Sequence, residues 1–167
     1  MHTHSLSYRK QYDFNSIVMI LTNLYGPNDN FNKDTSHVIA ALIRRFYEAK
    51  KNNEKKVIVW GNGNSTRDFC YIEDIATGII LAAENYNESE PLNLASGRGV
   101  TIKELVMIIK KQMNYEGEII WDEKMPVGPN RRKISIQLAR KKINFDPKIS
   151  LEEGIKNTID FYVNSKK

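Results

Sequence analysis

Ser16-Ile-Val-Met-Ile-Leu21, continuing through Thr22-Asn-Leu-Tyr-Gly-Pro27 and a polar loop to Ser36-His37, sets the architecture of this chain. Five of the first six residues are apolar or β-branched, the pattern of a strand covered on both faces, as in a parallel sheet. Tyr25-Gly26-Pro27 breaks the strand, and Asn and Asp residues carry the backbone to Ser36. From there Val38, Ile39, Leu42, Ile43 and Phe46 recur at helical spacing, predicting a helix from Ser36 to about Lys50. His37 then falls in the first turn of that helix, beyond a strand end. Open α/β sheets place ligands outside the carboxyl ends of their strands, and a helix start adds amide donors and partial positive charge. His37 is therefore a candidate for a polar site.

Outward from this stretch the pattern repeats. Lys56-Val-Ile-Val-Trp60 reads as a strand closed by Gly61-Asn-Gly63-Asn-Ser-Thr66, where two glycines permit positive φ. Arg67 to Tyr71 is extended, and Ile72 opens a helix through Ile79, Ile80 and Ala83. Leu92 to Ala95 is a strand ending at Gly97, and Thr101 with Glu104 forms a capping box before the apolar stripe Ile102, Leu105, Val106, Ile109 and Met113. Glu118 to Asp122 is a further strand and Ile136 to Lys142 a short helix. Ser150 with Glu153 is a second capping box, opening the last helix. Residues 5–12 read as the end of a helix, with His2 and His4 in a frayed terminus. The alternation of strands and helices predicts an α/β fold, and the whole of 1–167 reads as a single α/β unit.

With 167 residues, 41% hydrophobic and 27% charged, the chain can bury a core and is not a disordered polymer. Its formal charge of +5 suits a phosphate-bearing ligand or serves solubility. The basic pairs Arg44-Arg45, Lys55-Lys56, Lys110-Lys111 and Lys166-Lys167 are scattered, which argues against a nucleic-acid face. A single cysteine, Cys70, excludes an internal disulfide and a multi-cysteine metal centre, and its place between Phe69 and Tyr71 predicts a buried, inert thiol. No metal site is expected. No apolar run reaches membrane-spanning length and the amino terminus lacks a signal pattern, so the expected location is cytoplasmic.

Asn23-Leu-Tyr-Gly-Pro27, Asp29-Asn30-Phe31 and Ser36-His37-Val38-Ile39, together with Trp60-Gly-x-Gly63, Arg67-Asp-Phe69 and Tyr71-Ile-Glu-Asp-Ile-Ala76, resemble the GDP-L-fucose synthase branch of the extended short-chain dehydrogenases/reductases, the NAD-dependent epimerase/dehydratase family. The resemblance extends over nearly all of the chain but only over the carboxyl-terminal half of such an enzyme. It implies late strands of a Rossmann-type parallel sheet joined to a small α/β substrate-binding part, with the amino-terminal dinucleotide-binding part missing. By resemblance His37 is catalytic, an acid in epimerisation. Leu21, Thr22, Asn23 and Leu24 lie on the nicotinamide side of the cofactor, although the family has proline where Leu21 stands. Arg45, Trp60, Arg67 and Arg131 contact the substrate. An indole beside a turn and a guanidinium seven residues on suit a guanine base and a diphosphate; the alternative for Trp60 is simple core. Arg44 and Arg45 point about 100° apart on a helix, so only one faces a given cavity; both could also lie on an exposed surface. Val127 replaces the family's nucleoside-contacting aspartate, leaving room for another nucleotide-linked hexose.

The activity implied is epimerisation and NADPH-dependent reduction of GDP-4-keto-6-deoxymannose. The Gly-rich dinucleotide turn and the Tyr-x-x-x-Lys pair are absent from these residues, so NADP(H) belongs to the complete enzyme and is not expected to bind tightly to this chain alone. The expected partners are a GDP-sugar, the missing amino-terminal segment or chain, and a second copy in a homo-oligomer. The alternative is a non-catalytic nucleotide-sugar-binding or partner-pairing module.

Overall fold

The computed structural model describes residues 2–125 and 134–166. Within the single α/β unit read from the sequence, these residues cluster into two compact units, each assembled from three separate segments.

The first unit takes residues 2–24, 68–98 and 134–149. It holds α1 (His2–Tyr12), β1 (Met19–Leu21), most of β2 (Asn23–Tyr25), most of β3 (Thr66–Tyr71), α2 (Ile72–Asn85), β4 (Leu92–Leu94) and α3 (Gln137–Ile143). β1 and β4 pair in parallel with Met19 opposite Leu92 and Leu21 opposite Leu94, as a crossover-linked pair must. The core gathers Ile75 and Ala82 of α2, Leu92 and Leu94 of β4, Ala139 and Ile143 of α3, and Phe145. Gly78 allows this closeness: a Cβ there would lie 2.7 Å from the Phe145 ring. Asp74, in the first turn of α2, accepts from the amides of Lys148 (2.9 Å) and Ile149 (3.0 Å), tying down the chain after Pro147.

Two expectations fail here. The strand expected over Ser16–Leu21 is only Met19–Leu21, and it is not covered on both faces: Ile20 is 48% and Leu21 40% exposed. A two-stranded ladder has few neighbours to cover it, so its apolar side chains stay open. Nor is the amino terminus frayed. His2 is helical and its Nε2 lies 3.2 Å from the Ser89 carbonyl, while Arg9 donates to Ser16 O (2.7 Å) and Asn87 O (2.8 Å).

The second unit takes residues 25–67, the described part of 99–132, and 150–166. It contains α4 (Val38–Lys51), β5 (Lys56–Trp60), β6 (Gly99–Thr101), α5 (Ile102–Gln112), β7 (Glu118–Asp122) and α6 (Leu151–Asn164). β5 and β7 run parallel, Lys56 opposite Glu118 and Trp60 opposite Asp122. Val57 and Val59 are buried while Ile58 and Trp60 face outward, the period-two pattern of a sheet covered on one face. Helix α4 buries Ile39, Ala40, Leu42, Ile43, Phe46 and Ala49, contacting β5, α5 and α6. Phe46 meets Tyr115 edge-on at 5.3 Å, and full burial of such a ring stabilises by about 1.5–3 kcal/mol. Thr101 caps α5 as expected: its hydroxyl accepts from Glu104 N (3.1 Å) and the Glu104 carboxylate accepts from Thr101 N (2.8 Å).

Candidate ligand site at the strand ends

In the second unit the carboxyl end of β5 carries a tightly specified turn. Gly61 and Gly63 both have positive φ, 80° and 78°. Gly61 N donates to Asp122 O (2.8 Å), Lys103 N to Gly63 O (2.9 Å), and Ile102 N to Ser65 O (3.0 Å). The turn is thereby pinned to the start of α5. Gly63 lies on the Trp121 ring, which a Cβ would approach to 2.7 Å.

Trp60 stands at the edge of this turn, 49% exposed, so it is not core. The Arg45 guanidinium lies 5.0 Å from the centre of the indole and donates from Nη1 to the Ile58 carbonyl at 3.1 Å. Strand alternation throws Ile58 and Trp60 to one face, and one residue of α4 reaches both. Burial, and then the adjacent Arg44, push the Arg45 pKa below its ordinary value. Arg44 turns elsewhere: it is buried, donates to Glu48 at 2.9 and 3.1 Å, and leaves its Nε without a partner among the described residues. The two neighbouring arginines thus face different surroundings. Arg67 is half-buried, with Nη1 donating to the Thr66 carbonyl at 2.8 Å.

His37 is the N-cap residue of α4 rather than a residue of its first turn, with extended backbone (φ −76°, ψ 167°). Its carbonyl accepts from Ala41 N (2.8 Å), and its exposed ring makes no capping hydrogen bond. The imidazole is therefore not consumed by the helix start. Arg131, and Val127 with it, lie outside the described residues.

In the first unit the strand-end residues have other employment. Thr22 Oγ1 and Asn23 Nδ2 both donate to the Asp68 carbonyl at 2.8 Å, and Thr22 N donates to Leu94 O. What Leu21 to Leu24 offer a nicotinamide ring is the apolar surface of Leu21. These residues fit one wall of a cofactor site. They do not fit its phosphate-binding part, since the glycine turn in the described residues leads into a strand and not a helix.

Asp68 escaped the sequence reading. It is fully buried; Oδ1 accepts from Ser96 N and Ser96 Oγ, both at 2.9 Å, and Oδ2 has no partner among the described residues. Its signals were its place in the Arg67-Asp-Phe69 motif and an acidic residue leading an apolar extended run. Cys70, two residues on, is buried, and its pKa is pushed up to about 12 by burial and then by Asp74 and Asp68. A thiol so shifted is protonated at neutral pH and inert, as expected.

Parallel strand pairs with helices beside them define a Rossmann-type α/β fold. The chain belongs to the NAD dependent epimerase/dehydratase family, whose model matches residues 1–95. It is 41% identical over 94% of its length to a probable GDP-L-fucose synthase of Oryza sativa, covering 48% of that protein, and 35% identical over 96% of its length to the GDP-L-fucose synthase of Escherichia coli, covering 52%. A GDP-L-fucose synthetase from Naegleria fowleri solved with NADP superposes with a TM-score of 0.88 at 26% identity, over 99% of this chain and 51% of that one. The chain spans about half the length of the curated relatives it matches.

Proposed function

We propose that these residues form the substrate-binding half of a GDP-L-fucose synthase-like epimerase/reductase acting on GDP-4-keto-6-deoxymannose. The observation that carries this reading is the Arg45–Trp60 pair: a half-exposed indole under a guanidinium, at a strand end beside a rigid turn. Such a pair suits a purine base and an anionic tail. Arg45 spends one donor on Ile58 O, and a guanidinium has five, so most of its fork is available to phosphate. Arg67 and Arg131 are the further substrate contacts.

In this reading His37 supplies a proton. Epimerisation beside a ketone needs a base to remove an acidified C–H and an acid to reprotonate the opposite face, and imidazole serves the second task near neutral pH. NADPH supplies hydride to the ketone when bound, and Leu21 to Leu24 wall its nicotinamide side. These 167 residues alone neither bind NADP(H) tightly nor turn over. Calorimetry with GDP and UDP, and fluorescence titration with NADPH, test the proposal together. GDP should bind more tightly than UDP, and Trp60→Ala should weaken GDP binding at least tenfold. Equal affinities for the two nucleotides, or micromolar NADPH binding, would overturn it.

The open faces of Ile20 and Leu21 on a parallel strand support a second reading, a module that pairs with another polypeptide. Sedimentation decides this: a monomer at high concentration that also fails to bind a second chain would remove it.

A further inference from the structure

The Asp29-Asn30-Phe31 segment has no part in the chemistry above, yet it is closely built. The loop between Gly26 and His37 is stitched to itself. Asp29 N donates to Gly26 O, Asn30 N to Asp29 Oδ1 (2.7 Å), Asn32 N to Asn30 Oδ1 (3.0 Å), Asp34 N to Asn32 Oδ1 (2.9 Å), and Ser36 N to Asn32 O (3.1 Å). Asn30 Nδ2 adds a bond across the loop to Thr35 Oγ1 at 2.9 Å. A loop bonded in this way moves as one body rather than residue by residue.

Its aromatic side chain reaches a helix. The Phe31 ring lies 4.4 Å from that of Tyr162, inclined by 31°. Tyr162 is buried on α6, meets Tyr47 of α4 edge-on at 5.3 Å, and carries the Lys166 ammonium 5.4 Å above its ring. Its phenol pKa is raised by burial, then by Glu48 and Tyr47 and against Arg44, so those α4 groups face it. The loop is therefore held twice: by its covalent junction with α4 at His37, and through Phe31 on a tyrosine that itself packs on α4.

We infer that Phe31 and Tyr162 are positioning residues that fix where the His37 imidazole is presented. The inference rests on the reading of His37 as the acid. Protonating one face of a carbanion requires the donor to be held within a fraction of an ångström, and displacement of about 1 Å can cost a hundredfold in rate. An exposed ring without a capping bond has no anchor of its own. The stitched loop and its aromatic foot supply one. Release of Phe31 would let the loop, with Ser36 bonded into it, swing about Gly26 and the His37 junction and so turn the unanchored imidazole. Trp60 and Arg45 would stay untouched, because those two are fixed by β5 and α4.

The test uses the 167-residue chain, with amide hydrogen exchange and the His37 ring signals followed by NMR, assigned with His37→Asn. Phe31→Ala should speed exchange across residues 29–36 by about tenfold, as expected when one aromatic contact is lost from a local opening equilibrium. It should also move the His37 ring signals towards those of a free histidine and leave GDP affinity within about twofold. Phe31→Tyr and Tyr162→Phe, which keep both rings, should behave as the unaltered chain. Unchanged exchange and unchanged His37 signals in Phe31→Ala would overturn the inference, as would a loop that opens equally in Phe31→Tyr. Failure of GDP to bind the unaltered chain would instead remove the functional reading, with the anchoring of the loop still read directly from exchange.

Discussion

Replacing Gly63 by alanine should damage the second unit through two separable effects. The residue sits at φ +78°, where an L side chain costs about 1–2 kcal/mol. The added Cβ would stand 2.7 Å from Trp121 Cη2, 3.0 Å from Trp121 Cζ3 and 3.0 Å from Lys103 Cβ, and relieving such overpacking costs about 1–3 kcal/mol. Restricting the unfolded chain returns about 0.4–1 kcal/mol. The net loss is about 3 kcal/mol, which at a urea slope of about 1–3 kcal/mol per molar lowers the midpoint by about 1–3 M. Both tryptophans, Trp60 and Trp121, lie in this unit, so intrinsic fluorescence during urea unfolding reports on it selectively. A double-mutant cycle with Trp121→Leu separates the effects: without the indole, Gly63→Ala should retain the backbone strain and the Lys103 Cβ contact, about 1–2 kcal/mol together. A loss below about 0.5 kcal/mol in the unaltered background, or an equal loss in both backgrounds, would refute the account of this turn.

Asp68→Ala should cost about 1–3 kcal/mol, because the part-buried amide and hydroxyl of Ser96 lose their shared acceptor. Asp68→Asn keeps an acceptor there and should cost less; equal losses by denaturant titration would contradict the assigned bonding. Thr101→Ala removes the capping box of α5 and should lower stability by about 1 kcal/mol, with Thr101→Ser nearly neutral in the same measurement. Cys70 should resist iodoacetamide at pH 8 in the folded chain and react on unfolding. Its pKa rises from 9.0 to about 12 on folding, so folded and unfolded thiols are alike below 9. Between 9 and about 12 only the unfolded chain sheds its proton, and stability falls as pH rises through that window. A Cys70→Ala variant should lose that part of the alkaline slope.

Local periodicity was legible. The strands Lys56–Trp60 and Glu118–Asp122 and the helix from Ile72 stand where alternation and helical spacing put them, and the capping box at Thr101 is formed by its own four residues. The divergence of Arg44 and Arg45 also follows from helix geometry alone. What the sequence withheld depends on partners far along the chain. Asp68 Oδ1 is satisfied by Ser96, 28 residues on, and nothing near Asp68 announces that donor pair. Phe31 finds Tyr162 near the opposite end of the chain. The openness of Ile20 and Leu21 was unreadable for the same reason, since an apolar run states what a strand would bury and not whether neighbours are present to bury it.

The Arg45–Trp60 contact shows how a cation–aromatic pair can be encoded by two short periods meeting. Period two in β5 commits Val57 and Val59 to the core and so sends the Ile58 carbonyl's neighbour Trp60 outward. In α4, a period of 3.6 commits Leu42, Ile43 and Phe46 inward and leaves Arg45 at the margin of the buried stripe, half-exposed. A lysine at position 45 would satisfy the helix pattern equally well, but its single ammonium lacks the planar fork that bonds a carbonyl while stacking on a ring. Packing thus accounts for where position 45 points, and only the chemistry at that point requires arginine. Residue 45 is held by the Ile58 carbonyl and the Trp60 ring, whereas the equally basic residue 44 is paired with Glu48 and faces Tyr162.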